Sequence, residues 1–391
     1  MAGTLIMLFL GMLYAWSIFV KPFTEIFPSW SISDLSVTFS ISASVFYFGG
    51  IVSGRLSSKL KNNIIVILGA SLLFCGFFFI SRLNPEQPVQ SLRKLNLFYG
   101  VLCGLGTGMC YNAILSTIIK WFPDKPGSAS GFLLMNYGMG GLILGMVINV
   151  LLVKAGLFDT FLILACAAAI LLSIGSFFIK LPPETFRASA PASGPGENNF
   201  SSRQMLKTPS YWFWYIWMIM IIMSGYFILN SAAVIASSFG APAVLGLLVS
   251  VANGCGRLFF GALMDRFGRS KIMLTSSTTL LAAGICLYTG GVLYNVILIF
   301  AGMLMVVLCF GSCPSMTSVF INSQFGSKNY QQNISIMNVM LIPAAVTGPI
   351  VSSTLVKRAN GVYNSSFLLI IALALVSFIF IALLNRKGQT R

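Results

Sequence analysis

Histidine is missing from this 391-residue sequence, and acidic residues are scarce. Only eight Asp and Glu stand beside 24 Lys and Arg, and charged residues make up 8% of the chain. A soluble domain carries about 25% charged residues, so this composition excludes an ordinary soluble protein. Without histidine a zinc or haem site is not expected. We predict that the protein uses no cofactor and no metal ion.

Long apolar runs fill the sequence instead, and hydrophobic residues make up 57% of it. Each run has about the 20 residues that cross a bilayer as a helix. The runs are continuous, whereas barrel strands alternate over about 10 residues. We therefore predict an all-α polytopic membrane protein whose twelve transmembrane helices lie near 4–23, 35–54, 64–82, 95–119, 128–152, 158–179, 211–236, 243–264, 272–291, 296–320, 334–356 and 366–384.

The net charge of +16 could suggest nucleic-acid binding, but the basic residues are divided unequally between the two sides of the membrane. With a cytoplasmic N-terminus, 16 of the 24 basic residues fall in cytoplasmic segments and 7 in outside segments. This bias predicts that both termini are cytoplasmic. We expect a multi-pass monomer in the plasma or inner membrane, with lipid around it and no nucleic-acid partner.

A Pro-, Ser- and Gly-rich stretch interrupts the apolar pattern after the sixth run. It predicts a flexible cytoplasmic linker at 181–210 between two six-helix bundles, 1–180 and 211–391. The bundles also share a weak repeat, because "GRLSSKLKNN" at 54–63 and "GALMDRFGRS" at 261–270 each follow the second run of their half. Two parallel halves of six helices are typical of transporters.

The segment "GALMDRFGRSK" resembles the G-x-x-x-D-R-x-G-R-K loop motif of the major facilitator superfamily. The resemblance implies the superfamily's fold, two bundles that alternate access to a central site. It also implies a gating role for Asp265, Arg266 and Arg269, because the Asp and the basic residues of this motif latch the cytoplasmic gate. The copy in the first half is degenerate, which leaves that side without the full motif.

Three further segments resemble the oxalate:formate antiporter family, which is related to the monocarboxylate transporters. They are "GMLYAWSIFVKPF" at 11–23, "GLGTGMCYNAILSTIIKWFPDKPGSASG" at 104–131 and "NGCGRLFFGALMDRFGR" at 253–269. This resemblance implies a transporter of small organic carboxylates rather than an enzyme.

Arg257 is a permanent cation inside the eighth predicted helix, about 8 residues or 12 Å from its cytoplasmic end. No acidic residue lies mid-membrane, since the eight fall in or beside loops: Glu25, Asp34, Glu86, Asp124, Asp159, Glu184, Glu197 and Asp265. We expect its partner to be an anionic substrate, with backbone carbonyls or hydroxyls as the alternative. A carboxylate matches the guanidinium fork.

Asn253 precedes Arg257 by four residues and shares its helix face. Its amide either contacts the substrate or hydrogen-bonds a neighbouring helix. The monocarboxylate transporters commonly carry an acid at this position, so its absence weakens a proton-symport reading.

A second cation is missing where the oxalate:formate antiporter family has a lysine in the eleventh helix. No basic residue occurs here between Lys328 and Lys357, and the counterpart lies near Met340 or Leu341. The first helix likewise has Ile18 where the monocarboxylate symporters place a lysine. One cation suits a monoanion such as lactate, pyruvate or formate better than an oxalate dianion.

Other polar residues in the apolar runs complete the candidate substrate site. The resemblance places cavity-lining tyrosines at Tyr14, Tyr111 and Tyr137, and ordinary packing is the alternative for each. Tyr111 is favoured by its mid-helix position beside Asn112. Asn338 in the eleventh run is a further candidate, and it too could either face the cavity or take part in ordinary packing.

The sequence thus predicts a secondary transporter that exchanges small carboxylate anions by alternating access. Oxalate:formate antiport and proton-coupled monocarboxylate symport remain alternatives. A proton-driven drug exporter is disfavoured because no mid-membrane acid occurs, and a channel because no pore-lining repeat is evident. A transport-inactive sensor would have the same sequence features. A membrane enzyme is disfavoured because the sequence shows no nucleophile–base pair.

Overall fold

The computed structural model describes residues 2–183, 199–240, 245–339, 341–359 and 362–388. Within these ranges the regular structure is helical and contains no strand. The all-α prediction is therefore confirmed for the part of the chain that the structure describes. Residues 184–198 of the predicted linker lie outside it.

Most of the described helices follow one another after connections of a few residues. In chain order they are α1 (Ala2–Leu10), α2 (Trp16–Ile26), α3 (Ile32–Leu56), α4 (Asn62–Ile80), α5 (Pro88–Leu95), α6 (Gly104–Trp121), α7 (Pro126–Ser176), α8 (Ser202–Leu206), α9 (Pro209–Ser238), α10 (Leu245–Phe267), α11 (Arg269–Leu293), α12 (Val296–Phe325), α13 (Tyr330–Asn338), α14 (Leu341–Arg358) and α15 (Asn364–Gly388). A 3-10 segment, Gly11–Ala15, joins α1 to α2, and a π-helical segment, Asn96–Cys103, joins α5 to α6.

Several of these helices have the length and composition needed to cross a membrane. Among the described residues nine such helices occur: Ala2–Ile26, Ser33–Leu56, Asn62–Ile80, Pro88–Trp121, Pro126–Ser176, Pro209–Leu229, Arg269–Leu293, Val296–Phe325 and Asn364–Asn385. The longest stretch, with 51 residues, is two helices joined at Gly156, and it contains the fifth predicted span and most of the sixth. The chain is therefore a membrane-spanning helical protein, and the count of twelve stays a prediction.

The fifth and sixth predicted spans meet at Gly156, where a single residue leaves the helical conformation. Gly156 has φ 77° and ψ 177°, while the residues around it are helical. A positive φ is readily available to glycine, so one residue redirects the chain without a loop. The apolar pattern predicted that residues 153–157 separate the two spans, whereas the structure has a single non-helical residue there.

A short helix, α8, lies inside the segment that we predicted as a flexible linker. Its N-terminus is closed by a capping box in which Ser201 and Gln204 bond each other's backbone N–H groups. Just before it, the Phe200 N–H donates to the Phe325 carbonyl at 3.0 Å and the two rings meet edge-on. A helix of five residues is too short to show a hydrophobic period, which is why the pattern missed it.

The described residues form two compact units. The first draws on Met1–Pro123, Asn136–Pro191 and Tyr330–Ser335, and the second on Asp124–Met135, Ala192–Asn329 and Ile336–Arg391. The predicted bundle boundaries themselves remain a prediction.

Aromatic residues form the core of each unit. In the first, Trp16 packs on Tyr99 with ring centroids 4.2 Å apart and donates its indole N–H to the Leu35 carbonyl. In the second, Trp214 stacks on Phe320 at 4.0 Å with nearly parallel rings. Such large side chains contribute most of the buried area that fixes helix positions.

Candidate functional site

Arg257 lies in α10, on the side that faces the start of α7. Its side chain is only 4% exposed. The two helices approach closely at Gly131, where an added Cβ would lie 3.0 Å from the Leu258 Cα and would overlap the Arg257 carbonyl. Glycine at 131 therefore lets the α7 backbone come within reach of the guanidinium.

The guanidinium of Arg257 makes one hydrogen bond and no ion pair within the described part of the chain. Nη1 donates to the Leu134 carbonyl at 2.8 Å, whereas Nε is buried without a partner. The single ion pair among the described residues is Lys21–Glu25, at 3.8 Å on the surface. A guanidinium has five N–H donors, so Arg257 keeps donor capacity for a further acceptor.

Asn253 lies one helical turn before Arg257, as the spacing predicted. Its Oδ1 is buried and has no hydrogen-bond partner. This atom faces Gly311 of α12, where an added Cβ would lie 2.9 Å away. The second unit therefore holds an unpartnered acceptor and an unpartnered donor on one turn of α10. Neither reading of the Asn253 role is decided by these contacts.

The three candidate tyrosines come together in the first unit. The Tyr137 ring contacts Tyr14 and Tyr111 edge-on, with centroids 5.4 and 5.0 Å away. Tyr111 and Tyr137 are buried, and Tyr14 is 50% exposed. Phe46 of α3 completes this aromatic cluster, 5.1 Å from Tyr111. Sequence reasoning missed Phe46 because an apolar aromatic residue in an apolar helix carries no distinguishing signal.

The close approach of the 3-10 segment to α7 positions Tyr14 against Tyr137. An added Cβ at Gly11 would lie 2.9 Å from the Gly140 Cα, so the two backbones nearly touch there. Only glycine permits this separation, as in other membrane helix pairs.

Asn112 forms a buried polar network that the sequence did not predict. Its Nδ2, which carries two hydrogens, has three acceptors within hydrogen-bonding distance: the carbonyls of Gly50 at 2.8 Å and Gln331 at 3.1 Å, and Ser335 Oγ at 2.6 Å. Ser116 also donates to Gln331 Oε1 at 2.9 Å. In the sequence, Asn112 was the reason to place Tyr111 beside a cavity. In the structure, its side chain links α6 to α3 and α13 within the first unit.

Asn338 is the last residue of α13 and is half-buried. Met340, one of the two positions expected to replace a second cation, lies outside the described residues. Leu341 begins α14. The eleventh predicted run is thus divided between two helices.

Asp265, near the end of α10, binds the beginning of α7. Its carboxylate accepts hydrogen bonds from the N–H groups of Gly127 at 2.8 Å and Ser128 at 2.6 Å, and from Ser128 Oγ at 2.8 Å. The first N–H groups of a helix have no partner within the helix, and its dipole favours a negative charge there. Asp265 therefore caps α7 from another helix.

The two basic residues of the motif contact other groups. Arg269 donates from Nη1 to Gln324 Oε1 at 2.8 Å, and its guanidinium lies 5.9 Å from the Phe320 ring centre. Arg266 is exposed, and its guanidinium lies 5.2 Å from the Phe267 ring centre. Asp265 therefore contacts α7 and Arg269 contacts α12, whereas Arg266 contacts the ring of the next residue of its own helix.

Curated relatives include several transporters. An uncharacterized MFS-type transporter of Escherichia coli (strain K12), YhjX, is 26% identical over 341 residues, or 86% of this chain and 82% of that protein. The oxalate:formate antiporter of Oxalobacter formigenes is 26% identical over 268 residues, or 67% of this chain and 62% of the antiporter. Monocarboxylate transporter 10 of Danio rerio is 25% identical over 342 residues, or 84% and 65%.

Solved structures show the same fold. The proton:xylose symporter XylE, bound to 6-bromo-6-deoxy-D-glucose, aligns with a TM-score of 0.74 at 17% identity, covering 97% of this chain and 94% of that one. The family model described as Major Facilitator Superfamily matches residues 1–251 and 218–390. A transporter family of this kind is not a family of enzymes. The chain belongs to the major facilitator superfamily.

Proposed function

We propose that the protein is a secondary transporter that exchanges small monocarboxylate anions, with Arg257 as the residue that binds the carboxylate. On this proposal it has twelve transmembrane helices, two cytoplasmic termini and a place in the plasma or inner membrane as a monomer. The observation that supports it most is the buried Arg257 side chain, which has an unpartnered Nε and no carboxylate near it among the described residues.

The energetics of a buried cation support an anionic substrate. A charge in the middle of a bilayer costs at least about 2.5–3.5 kcal/mol. One neutral carbonyl, that of Leu134, offsets only part of this cost. A carboxylate that accepts two parallel N–H bonds would neutralise the charge and satisfy the remaining donors. The substrate site is therefore more stable occupied than empty.

This imbalance also supports exchange rather than one-way transport. A carrier that must reorient with Arg257 unpaired meets a higher barrier than one that carries an anion. Exchange also requires no protonatable residue in the membrane, and the sequence has no mid-membrane acid. Proton-coupled symport stays the alternative, in which the proton accompanies the substrate.

Similarity to an oxalate:formate antiporter supports a second candidate, exchange of a dicarboxylate. The charge count opposes it, because no basic residue lies between Lys328 and Lys357 and Ile18 is apolar. We propose that Asn253, Asn338 and the aromatic cluster of Tyr14, Tyr111 and Tyr137 line the substrate path. Asp265, Arg266 and Arg269 are proposed to act in gating.

Counterflow in proteoliposomes tests the proposal. Vesicles are loaded with unlabelled lactate, pyruvate, formate or oxalate, and uptake of the labelled anion is followed with and without a pH gradient. We expect saturable uptake of a monocarboxylate that needs internal anion and not a pH gradient. Arg257→Gln should reduce this uptake roughly 100-fold, because a buried charged pair typically accounts for several kcal/mol.

Arg93→Gln is the matched control, since Arg93 is an exposed arginine of α5. Both variants are first checked for a monodisperse elution profile and a wild-type melting temperature. The proposal fails if a folded Arg257→Gln protein transports every tested anion at the wild-type rate. Uptake that requires an inward proton gradient would instead favour the symport alternative.

A further inference from the structure

The second unit contains a cavity of about 880 Å³ whose lining includes none of the proposed substrate-binding residues and shares only Arg269 with the proposed gating residues. It opens where α9 and α11 begin and α12 ends. Its charged lining consists of Lys207, Arg269 and Lys271, and its lining includes no acidic residue. We call it the basic cavity. Its volume is that of a site for a small organic ligand rather than for a bare ion.

No carboxylate of the described residues forms an ion pair with the basic cavity. Lys207 and Lys271 are exposed, and neither forms an ion pair within the described ranges. Arg269 has only the neutral Gln324 amide as its hydrogen-bond partner. Three cations around one cavity attract an anion with more than one charge-bearing oxygen, because each contact adds a charge-assisted hydrogen bond.

The backbone adds donors to the same wall. Gly268, the N-cap of α11, has φ 77° and gives its helix no side-chain cap. An added Cβ at this glycine would meet nothing within 4 Å, so the start of α11 borders open space. The first N–H groups of a helix carry partial positive charge and bind phosphate oxygens well. At the start of α9, by contrast, Thr208 already caps the helix.

Aromatic side chains form part of the remaining wall, beside hydroxyl and amide groups. Phe200, Phe267 and Phe325 line the basic cavity, and Phe267 is 45% exposed. A ligand that fits here therefore has a charged end for the cations and an apolar or planar part for the rings. Basic pockets between helices on the cytoplasmic side of membrane proteins bind lipid headgroups of this kind.

We propose that the basic cavity binds the phosphate group of an anionic ligand, held by Lys207, Arg269, Lys271 and the first turn of α11. Two sources share this chemistry, the headgroup of an anionic phospholipid and a soluble phosphate ester. This binding is independent of transport at Arg257, so either proposal can fail without the other.

Titration of the purified full-length protein in neutral detergent tests the proposal, with melting temperature and calorimetry as readouts. The probes are dihexanoyl phosphatidylglycerol, dihexanoyl phosphatidylcholine, ATP without magnesium, and inorganic phosphate. We expect saturable binding of at least one anionic phosphate probe and none of the zwitterionic phosphatidylcholine. Preference for phosphatidylglycerol assigns the site to lipid, and preference for ATP or inorganic phosphate assigns it to a soluble ligand.

The Lys207→Gln/Lys271→Gln double variant should weaken this binding about 10-fold or more, because each basic residue beside an anionic headgroup contributes substantially to binding. Lys59→Gln/Lys61→Gln removes the same charge from exposed lysines elsewhere and should leave it within about twofold. Lys271→Gln alone replaces the double variant if that protein does not fold. The proposal is overturned if no anionic probe saturates, or if the two double variants weaken binding equally.

Discussion

Position 265 illustrates how one carboxylate can join two helices that are distant in sequence. Three hydrogen bonds from Gly127 and Ser128 converge on Asp265, and two of them come from backbone N–H groups. A neutral amide at this position keeps one acceptor oxygen but loses the favourable interaction with the helix dipole. The charge itself, rather than the shape of the side chain, is therefore what the contact depends on.

We expect Asp265→Asn to lower the free energy of unfolding by about 1–3 kcal/mol, since a buried donor loses its acceptor. The measurement is a melting curve of the detergent-purified protein. Asp124→Asn removes the same charge from an exposed residue beside the same helix start, and it should lower the melting temperature by much less, because water screens its interaction with the helix dipole. Equal melting temperatures for both variants would contradict the capping role.

Position 340 offers a residue-level test of the charge argument for substrate choice. Met340→Lys places a second cation in the eleventh predicted run, where the sequence has none. Two cations compensate a dianion better than one, so we expect the oxalate:lactate uptake ratio in counterflow to rise roughly 10-fold. Met340→Gln is the uncharged control. An unchanged ratio in a folded Met340→Lys protein would refute the two-cation argument and leave the role of Arg257 intact.

At the scale of elements, α13 is attached to the first unit by buried polar groups. Gln331 donates from Nε2 to Ser53 Oγ at 3.0 Å, and Ser335 donates to the Gly50 carbonyl at 2.7 Å. Asn112 joins both residues from α6. An unpaired polar group in an apolar surrounding carries the full cost of desolvation, so the donors of this network find acceptors within it. Asn112 Oδ1 is the exception, since it is buried without a partner among the described residues.

A double-mutant cycle of Asn112→Leu and Ser335→Ala measures this attachment. We expect each single variant to lose about 1–3 kcal/mol of unfolding free energy, and the pair to be coupled by at least about 0.5 kcal/mol. Denaturant unfolding of the purified protein provides the values. Ser71→Ala, whose hydroxyl bonds only its own helix, should be additive with Asn112→Leu. Additivity of Ser335→Ala with Asn112→Leu would show that the hydrogen bond between them contributes nothing.

At the scale of the whole molecule, the distribution of basic residues predicts the topology. We expect Lys59→Cys to face the cytoplasm and Lys154→Cys to face outside, in a protein whose native cysteines are replaced. Both positions are exposed. A membrane-impermeant maleimide applied to intact cells should label position 154 at once and position 59 only after permeabilisation. Labelling of both positions in intact cells would refute the assignment.

The apolar runs, together with the lack of acidic residues within them, were the main basis for predicting the helical fold and the candidate site. Runs of bilayer length predicted helices, and the lack of a mid-membrane acid was the reason to expect no carboxylate beside Arg257. The Leu134 carbonyl was not predictable as its acceptor, because every residue has a carbonyl and only tertiary packing selects one. The same holds for Phe46 and for Gln331, whose roles depend on helices far away in sequence.

Lys21–Glu25, the one ion pair among the residues that the structure describes, also has a practical consequence for experiments in salt. Exposed pairs contribute little and are screened at moderate ionic strength, with a Debye length of about 8 Å at 0.15 M. Helix packing in the described part of the chain should therefore be nearly indifferent to added electrolyte. Chloride and other anions then become usable competitors: a saturable fall in uptake as the anion is added reports competition at a cationic site rather than loss of helix packing.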